Sequence, residues 1–124
     1  MTESPIESSR WLSLPEVADA LDSRLRDVRD LVAERRLVAV RRGANRVWSV
    51  PEEFLASGEP GEPGYVVLSS LRGTVMQLGD SGFDDEEIVV WLFAPNEELD
   101  ERPIDALRRG RTHAVRRAAQ HLAF

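Results

Sequence analysis

The stretch Leu37-Val38-Ala39-Val40-Arg41-Arg42-Gly43-Ala44-Asn45-Arg46-Val47-Trp48-Ser49-Val50-Pro51 decides the fold. Its two β-branched runs suit half-buried strands, and Gly43-Ala44-Asn45 between them is turn chemistry. Residues 37–42 and 46–50 therefore read as the two strands of a β-hairpin with cations at its tip. Working back, Leu25, Val28, Leu31 and Val32 recur at helical spacing and should share one buried face. Ser23 is the expected N-cap of that helix, which ends near Arg35-Arg36. Further back, Ser13-Leu14-Pro15-Glu16 offers a capping serine, a proline in the first turn and a glutamate three residues after the cap. Val17, Ala18 and Leu21 continue that helix as an apolar stripe until Asp22-Ser23 breaks it. Two short helices, a tight turn and a basic hairpin make up the order of a winged helix-turn-helix.

Working forward, Pro51-Glu52-Glu53-Phe54-Leu55 should open a short helix. Ser57-Gly58-Glu59-Pro60-Gly61-Glu62-Pro63-Gly64 is the most linker-like stretch in the chain. An apolar segment at 65–68 follows, then a helix over 70–79 with Leu71, Val75 and Leu78 on one face. A helix capped by Asp84 or Asp85 runs through Ile88, Val89, Trp91 and Leu92, stopped by Ala94-Pro95-Asn96. Short helices over 103–107 and 111–122 close the chain. The expected organisation is a flexible arm at 1–10, a winged helix-turn-helix domain at 11–57, a linker at 58–64 and a helical C-terminal domain at 65–124. The fold class is mainly α with a small β-hairpin wing.

The 124 residues suit one domain, or one small domain with an appendage. With no cysteine, the chain has no disulfide scaffold, thiol nucleophile or cysteine-ligated zinc. No apolar run approaches the roughly 20 residues needed to span a bilayer, and the opening residues lack a signal-peptide core. A cytoplasmic, nucleoid-associated protein is the expectation. All 16 basic residues are Arg, and the net charge is −6. That average conceals segregation. Between Arg24 and Arg46, eight Arg face three acids, a local charge of +5. Between Asp80 and Asp105, ten acids face Arg102 alone, a local charge of −9. Local fields decide where a polyanion docks.

DNA recognition supplies a reason for this pattern. A slender helix with polar residues outward can enter the major groove while the preceding helix supports it. Arginine pairs bidentately with guanine or clamps phosphates, and a hairpin adds a second arm on the backbone or minor groove. The candidate DNA-contacting residues are Arg24, Arg26 and Arg29 on a recognition helix at about 23–34, Arg35 and Arg36 at its end, and Arg41, Arg42, Asn45 and Arg46 on a wing at about 38–50. The same helix also reads as a solvated face laced by Arg24–Asp27 and Arg26–Asp30 pairs. Two carboxylates on it would repel phosphate.

Residues 12–55 resemble the excisionase and MerR-like winged helices through Leu14-Pro15-Glu16-Val17-Ala18, Glu34-Arg35-Arg36-Leu37 and Trp48-Ser49-Val50-Pro51. A closer resemblance covers nearly the whole chain. Leu37-Val38-Ala39-Val40-Arg41-Arg42, Trp91-Leu92-Phe93 with Pro95, Arg102-Pro103-Ile104-Asp105-Ala106-Leu107 and Val115-Arg116-Arg117-Ala118 are similar to an actinobacterial winged helix-turn-helix DNA-binding family. That family is known in mycobacteria as a substrate of a membrane Ser/Thr protein kinase. The resemblance implies a winged helix followed by a helical domain, DNA binding and control by phosphorylation, and the expected function is that of a transcription regulator on double-stranded DNA. The family's longer arm with its phosphoacceptor threonine has no clear match here. Thr2, Ser4, Ser8 and Ser9 are the phosphorylation candidates in this arm. The helix at 23–33 is among the less similar parts.

The C-terminal half admits a different class of function. Trp91-Leu92, Pro95-Asn96, Leu99, Pro103, Leu107, Gly110 and Val115 also look like the toxin-binding domain that closes many antitoxins. A protein partner, or self-association through these helices, is the alternative to DNA binding, with the winged helix as an adaptor. The plainer reading makes Trp91, Leu92 and Phe93 core residues. Asp84-Asp85-Glu86-Glu87 sits in a first helical turn, where the helix dipole favours acids, and lacks the order of a calcium loop. His113 and His121 are eight apart, without a Glu placed as in His-Glu-x-x-His, and read as surface residues, so no metal site is expected. Arg108, Arg109, Arg111, Arg116 and Arg117 read first as charge balance for the acids before them, and second as an extension of a DNA footprint. No nucleophile elbow, P-loop or dinucleotide fingerprint is present, so neither catalysis nor a cofactor is expected.

Overall fold

In the computed structural model, residues 10–58 and 64–122 are described. They divide into two compact units, one built from residues 10–58 and 64–69 and the other from residues 70–122.

The first unit opens with strand β1 (Trp11–Ser13) and runs directly into helix α1 (Leu14–Leu21). Ser13 ends the strand and caps the helix. Its hydroxyl accepts from the Glu16 N–H at 3.3 Å, and the Glu16 carboxylate accepts from the Ser13 N–H at 2.8 Å. These bonds hold the Glu16 carboxyl below its usual range, led by the backbone N–H of Ser13. Helix α1 stops at Asp22, which takes a left-handed φ of 52°. Helix α2 (Leu25–Ala33) follows after a tight turn. Its N-cap is Arg24 rather than the expected Ser23. Asp27 reaches back to accept from the Arg24 N–H at 3.1 Å. Turn geometry shifts the helix start by one residue, and the Ser23 hydroxyl is enclosed with no hydrogen-bond partner among the described residues. Val28 is fully buried, while Leu25, Leu31 and Val32 are only half-buried.

Strand β2 is shorter than the 37–42 expected: it covers Val40–Arg42. Leu37, Val38 and Ala39 are buried all the same, because they carry the chain through the core before the ladder begins. Strand β3 (Val47–Pro51) closes the hairpin and also pairs with β1, giving a three-stranded antiparallel sheet in the order β1-β3-β2. The third strand, β1, lies outside the sequence reading. Its register sets Leu12 opposite Val50, two buried side chains on the face that also carries Arg41 opposite Trp48. A short 3-10 turn at Glu52–Phe54 drops Phe54 into the core. Strand β4 (Leu55–Ser57) then pairs with β5 (Tyr65–Val67).

That pairing moves a boundary. By its sequence, 65–68 is expected at the head of the C-terminal domain. Here Tyr65–Val67 hydrogen-bonds back to β4 and packs on α1, within the first unit. Periodicity in a three-residue segment carries no information on its partner.

The second unit comprises α3 (Leu71–Asp80), α4 (Asp85–Phe93), α5 (Pro103–Arg108) and α6 (Thr112–Gln120). Asp84 caps α4 in the manner of Ser13: its carboxylate accepts from the Glu87 N–H at 2.8 Å, and Glu87 accepts from the Asp84 N–H at 3.0 Å. Leu71, Val75, Leu78, Ile88, Leu92, Ile104 and Val115 are fully buried, so every helix contributes to one core. None of the described helices is long and apolar enough to cross a membrane.

Candidate nucleic-acid interface

Strand alternation sorts the wing cations. Arg41 lies opposite Trp48, and its guanidinium sits 4.6 Å from the centre of the Trp48 ring. Arg42 points to the other face of the sheet, where its guanidinium lies 4.4 Å from the Trp11 ring. The two neighbours in sequence therefore serve opposite faces. At the tip, Gly43 has φ +75°, Arg46 has φ +54°, and the Arg46 N–H donates to the Gly43 carbonyl at 3.1 Å. Ala44, Asn45 and Arg46 are exposed.

Helix α2 presents Arg24, Arg26, Arg29 and Asp30 to solvent. Asp27 is explained by the helix start. The Arg24 N–H comes first, and the Arg24 guanidinium adds to it, in holding its carboxyl below the usual range. This acid is thus spoken for locally and neutralised by its neighbour. The Arg24–Asp27 pair of the solvated-face reading forms at 3.5 Å, whereas no ion pair joins Arg26 to Asp30. Beyond the helix, Arg35 takes a left-handed φ of 64°, and Arg36 pairs with Glu34 at 3.0 Å.

Between α2 and the sheet lies a notch of about 270 Å³ lined by Leu14, Arg29, Val32, Ala39 and Trp48. Trp48 is 46% exposed beside Val47 at 48%. Of the expected residues, Arg29 lines this notch and Arg41 lies over the ring of Trp48, a strand residue that the sequence does not single out as a contact. The available signal was its place opposite Arg41 in the hairpin register.

In the second unit, Leu92 and Phe93 are core, while Trp91 is half-buried and lines a groove with Phe83, Val90 and Ala94. The charge-balance reading of the late arginines holds for part of the set. Arg109 and Arg111 both pair with Glu101, and Arg102 grips Asp105 through two bonds of 2.8 Å. The Arg102 guanidinium, ahead of the opposing cost of partial burial, holds the Asp105 carboxyl below its usual range. Arg116 and Arg117 are exposed and enter no such pair among the described residues. His113 and His121 are exposed, with His121 Nδ1 2.6 Å from Glu98. No group of three metal-ligating side chains converges among the described residues.

Fold and site together define a winged helix-turn-helix protein, with arginines on the second helix and on the hairpin and a helical C-terminal region. The chain belongs to the Rv2175c family. Residues 5–55 match the family described as "DNA-binding protein Rv2175c, wHTH domain", and residues 68–123 match the "Rv2175c C-terminal domain of unknown function". A Mycobacterium tuberculosis relative, "DNA-binding protein Rv2175c", is 35% identical over 124 aligned positions, which cover 90% of this chain and 79% of the relative. The NMR structure of Rv2175c superimposes with a TM-score of 0.77 at 32% identity, covering 94% of this chain and 83% of that one.

Proposed function

We propose that this protein binds double-stranded DNA and regulates transcription, with α2 in the major groove and the β2–β3 wing on the flanking backbone. The observation that carries this reading is the grouping of Arg26, Arg29, Arg41 and Arg46 as exposed side chains on these two elements in a chain whose net charge is −6. The relative named a DNA-binding protein supports it. Arg24, Arg35, Arg36 and Asn45 complete the proposed footprint as backbone contacts. Arg42 is its least suited member, because it is half-buried on the face of the sheet opposite Arg41. DNA binding implies a nucleoid location, and the site calls for no enzymatic step.

Phosphorylation is the proposed control. Thr2, Ser4, Ser8 and Ser9 lie outside the described residues, but the Glu52 N–H donates to the Arg10 carbonyl at 2.9 Å and ties the start of the described chain to the end of β3. A phosphate within that arm adds nearly two negative charges to a chain that would bind a polyanion, which should weaken DNA binding. A phosphorylated sample that bound DNA as tightly as the unmodified one would remove this control.

The test of DNA binding is fluorescence anisotropy on a GC-rich duplex across a salt series. An affinity that falls steeply with salt is the expected result, with the slope counting phosphates. No binding at low salt would overturn the reading and make a protein partner of the C-terminal helices the leading account.

A further inference from the structure

The notch beside Trp48 has an unusual composition for a surface that meets DNA. Its floor is apolar: Leu14 from α1, Val32 from α2, Ala39 ahead of β2, and the exposed Trp48 ring. One cation lines it and a second lies over its tryptophan. Arg29 lines it from the helix, and Arg41 lies over Trp48 from the hairpin. A phosphate gains nothing from an apolar floor, since leaving water there is costly. The deoxyribose unit differs, because it presents C–H surface and is joined on both sides to anionic phosphates. An apolar floor lined by one arginine, with a second over its tryptophan, suits that alternation.

The position agrees with the chemistry. A helix in the major groove and a hairpin over the adjacent minor groove have one sugar–phosphate strand running between them. The notch lies between those same two elements.

We infer that this notch is a seat for one deoxyribose of the DNA strand dividing the two grooves, with Trp48 packed against the sugar and Arg29 and Arg41 on its two flanking phosphates. The inference rests on the DNA-binding reading and assigns a contact independent of base sequence. It also accounts for a half-exposed tryptophan: the free protein covers the ring in part with Arg41, and DNA completes the cover. On single strands, exposed aromatic rings next to cations stack on bases, and one such contact is worth about tenfold or more in affinity; the sugar contact sets the lower end of that scale here.

The sugar contact and the phosphate contacts separate by salt dependence. Apolar burial releases no counterions, whereas each phosphate contact contributes about 0.9 to the slope of log K against log salt. W48A should bind the duplex about tenfold more weakly with an unchanged slope, while R29A and R41A should each lower the slope by about 0.9. A second reading uses W11F/W91F, which leaves Trp48 as the single tryptophan of the three in the chain. Saturation with DNA should change its emission and shield it from acrylamide.

Three results would overturn the inference. W48A could bind as tightly as the parent. It could lose affinity through the slope alone, making Trp48 a perch for Arg41. Or the emission and quenching of Trp48 could ignore bound DNA. Each of these requires that the parent binds DNA, so they are distinct from failure of the DNA-binding reading, in which the parent itself does not bind.

Discussion

Substitution of the wing arginines one at a time is the most direct challenge to the assigned geometry. Alternation along β2 gives Arg41 to the α2 side of the sheet and Arg42 to the Trp11 side, while Arg46 stands at the exposed tip. R41A and R46A should each remove one phosphate contact. A contact worth about 0.9 in slope corresponds to about eightfold in affinity at 0.1 M salt relative to 1 M, or about 1.2 kcal/mol. The double variant should lose about 60-fold, with its slope lower by about 1.8 if the two sites act independently. R42A should change affinity by less than about twofold and leave the slope alone, because its guanidinium lies half-buried on the far face, away from α2. The assay is anisotropy of a labelled duplex at four or more salt concentrations, with a thermal melt of each variant to confirm folding. A slope for R42A as low as that of R41A would refute the face assignment. An unchanged slope in the R41A/R46A protein would refute the wing contact altogether.

Further expectations concern stability. S13A removes the side-chain half of the α1 capping box and should cost about 1 kcal/mol, read as a melting point about 4–8 °C lower for a unit of this size. L92A empties a fully buried position in the second unit and should cost about 2–5 kcal/mol in chemical denaturation, with the salt slope of DNA binding by the folded protein unchanged. The depressed Asp105 carboxyl adds stability at pH values above its ordinary 3.8, and that contribution is lost as pH falls through the lower folded-state value. D105N should therefore be less stable than the parent near neutrality, with the gap closing in acid. A gap constant with pH would show that the Arg102 pairing is not its source.

The legible parts of this fold were those written in local chemistry. Ser13 with Glu16 and Asp84 with Glu87 announce two helix starts, since a capping box needs only four residues. Val28 and Leu92 stand out through helical spacing. What escaped was set at longer range. Trp11-Leu12-Ser13 is too short to show alternation, and Ser13 belongs to strand and helix at once. Tyr65-Val66-Val67 reads as the start of the next domain until it is seen paired with Leu55-Ala56-Ser57. Ser23 is a good capping residue, yet Asp27 made Arg24 the cap. The candidate site divides in the same way. Its arginines are countable in the sequence, but their sidedness depends on register, which separated Arg41 from Arg42 and brought Trp48 to Arg29.

The left-handed φ of Arg46 places thermal robustness and function in opposition at one residue. A side chain with a Cβ is strained at φ +54° by about 1 kcal/mol, and glycine relieves most of that. Selection for heat resistance alone would favour R46G, with a melting point a few degrees higher. The same exchange deletes the outermost cation of the hairpin. A laboratory population evolved for survival at high temperature, without a demand for binding, should drift toward glycine or asparagine at this position and lose its grip on the duplex first at the wing tip.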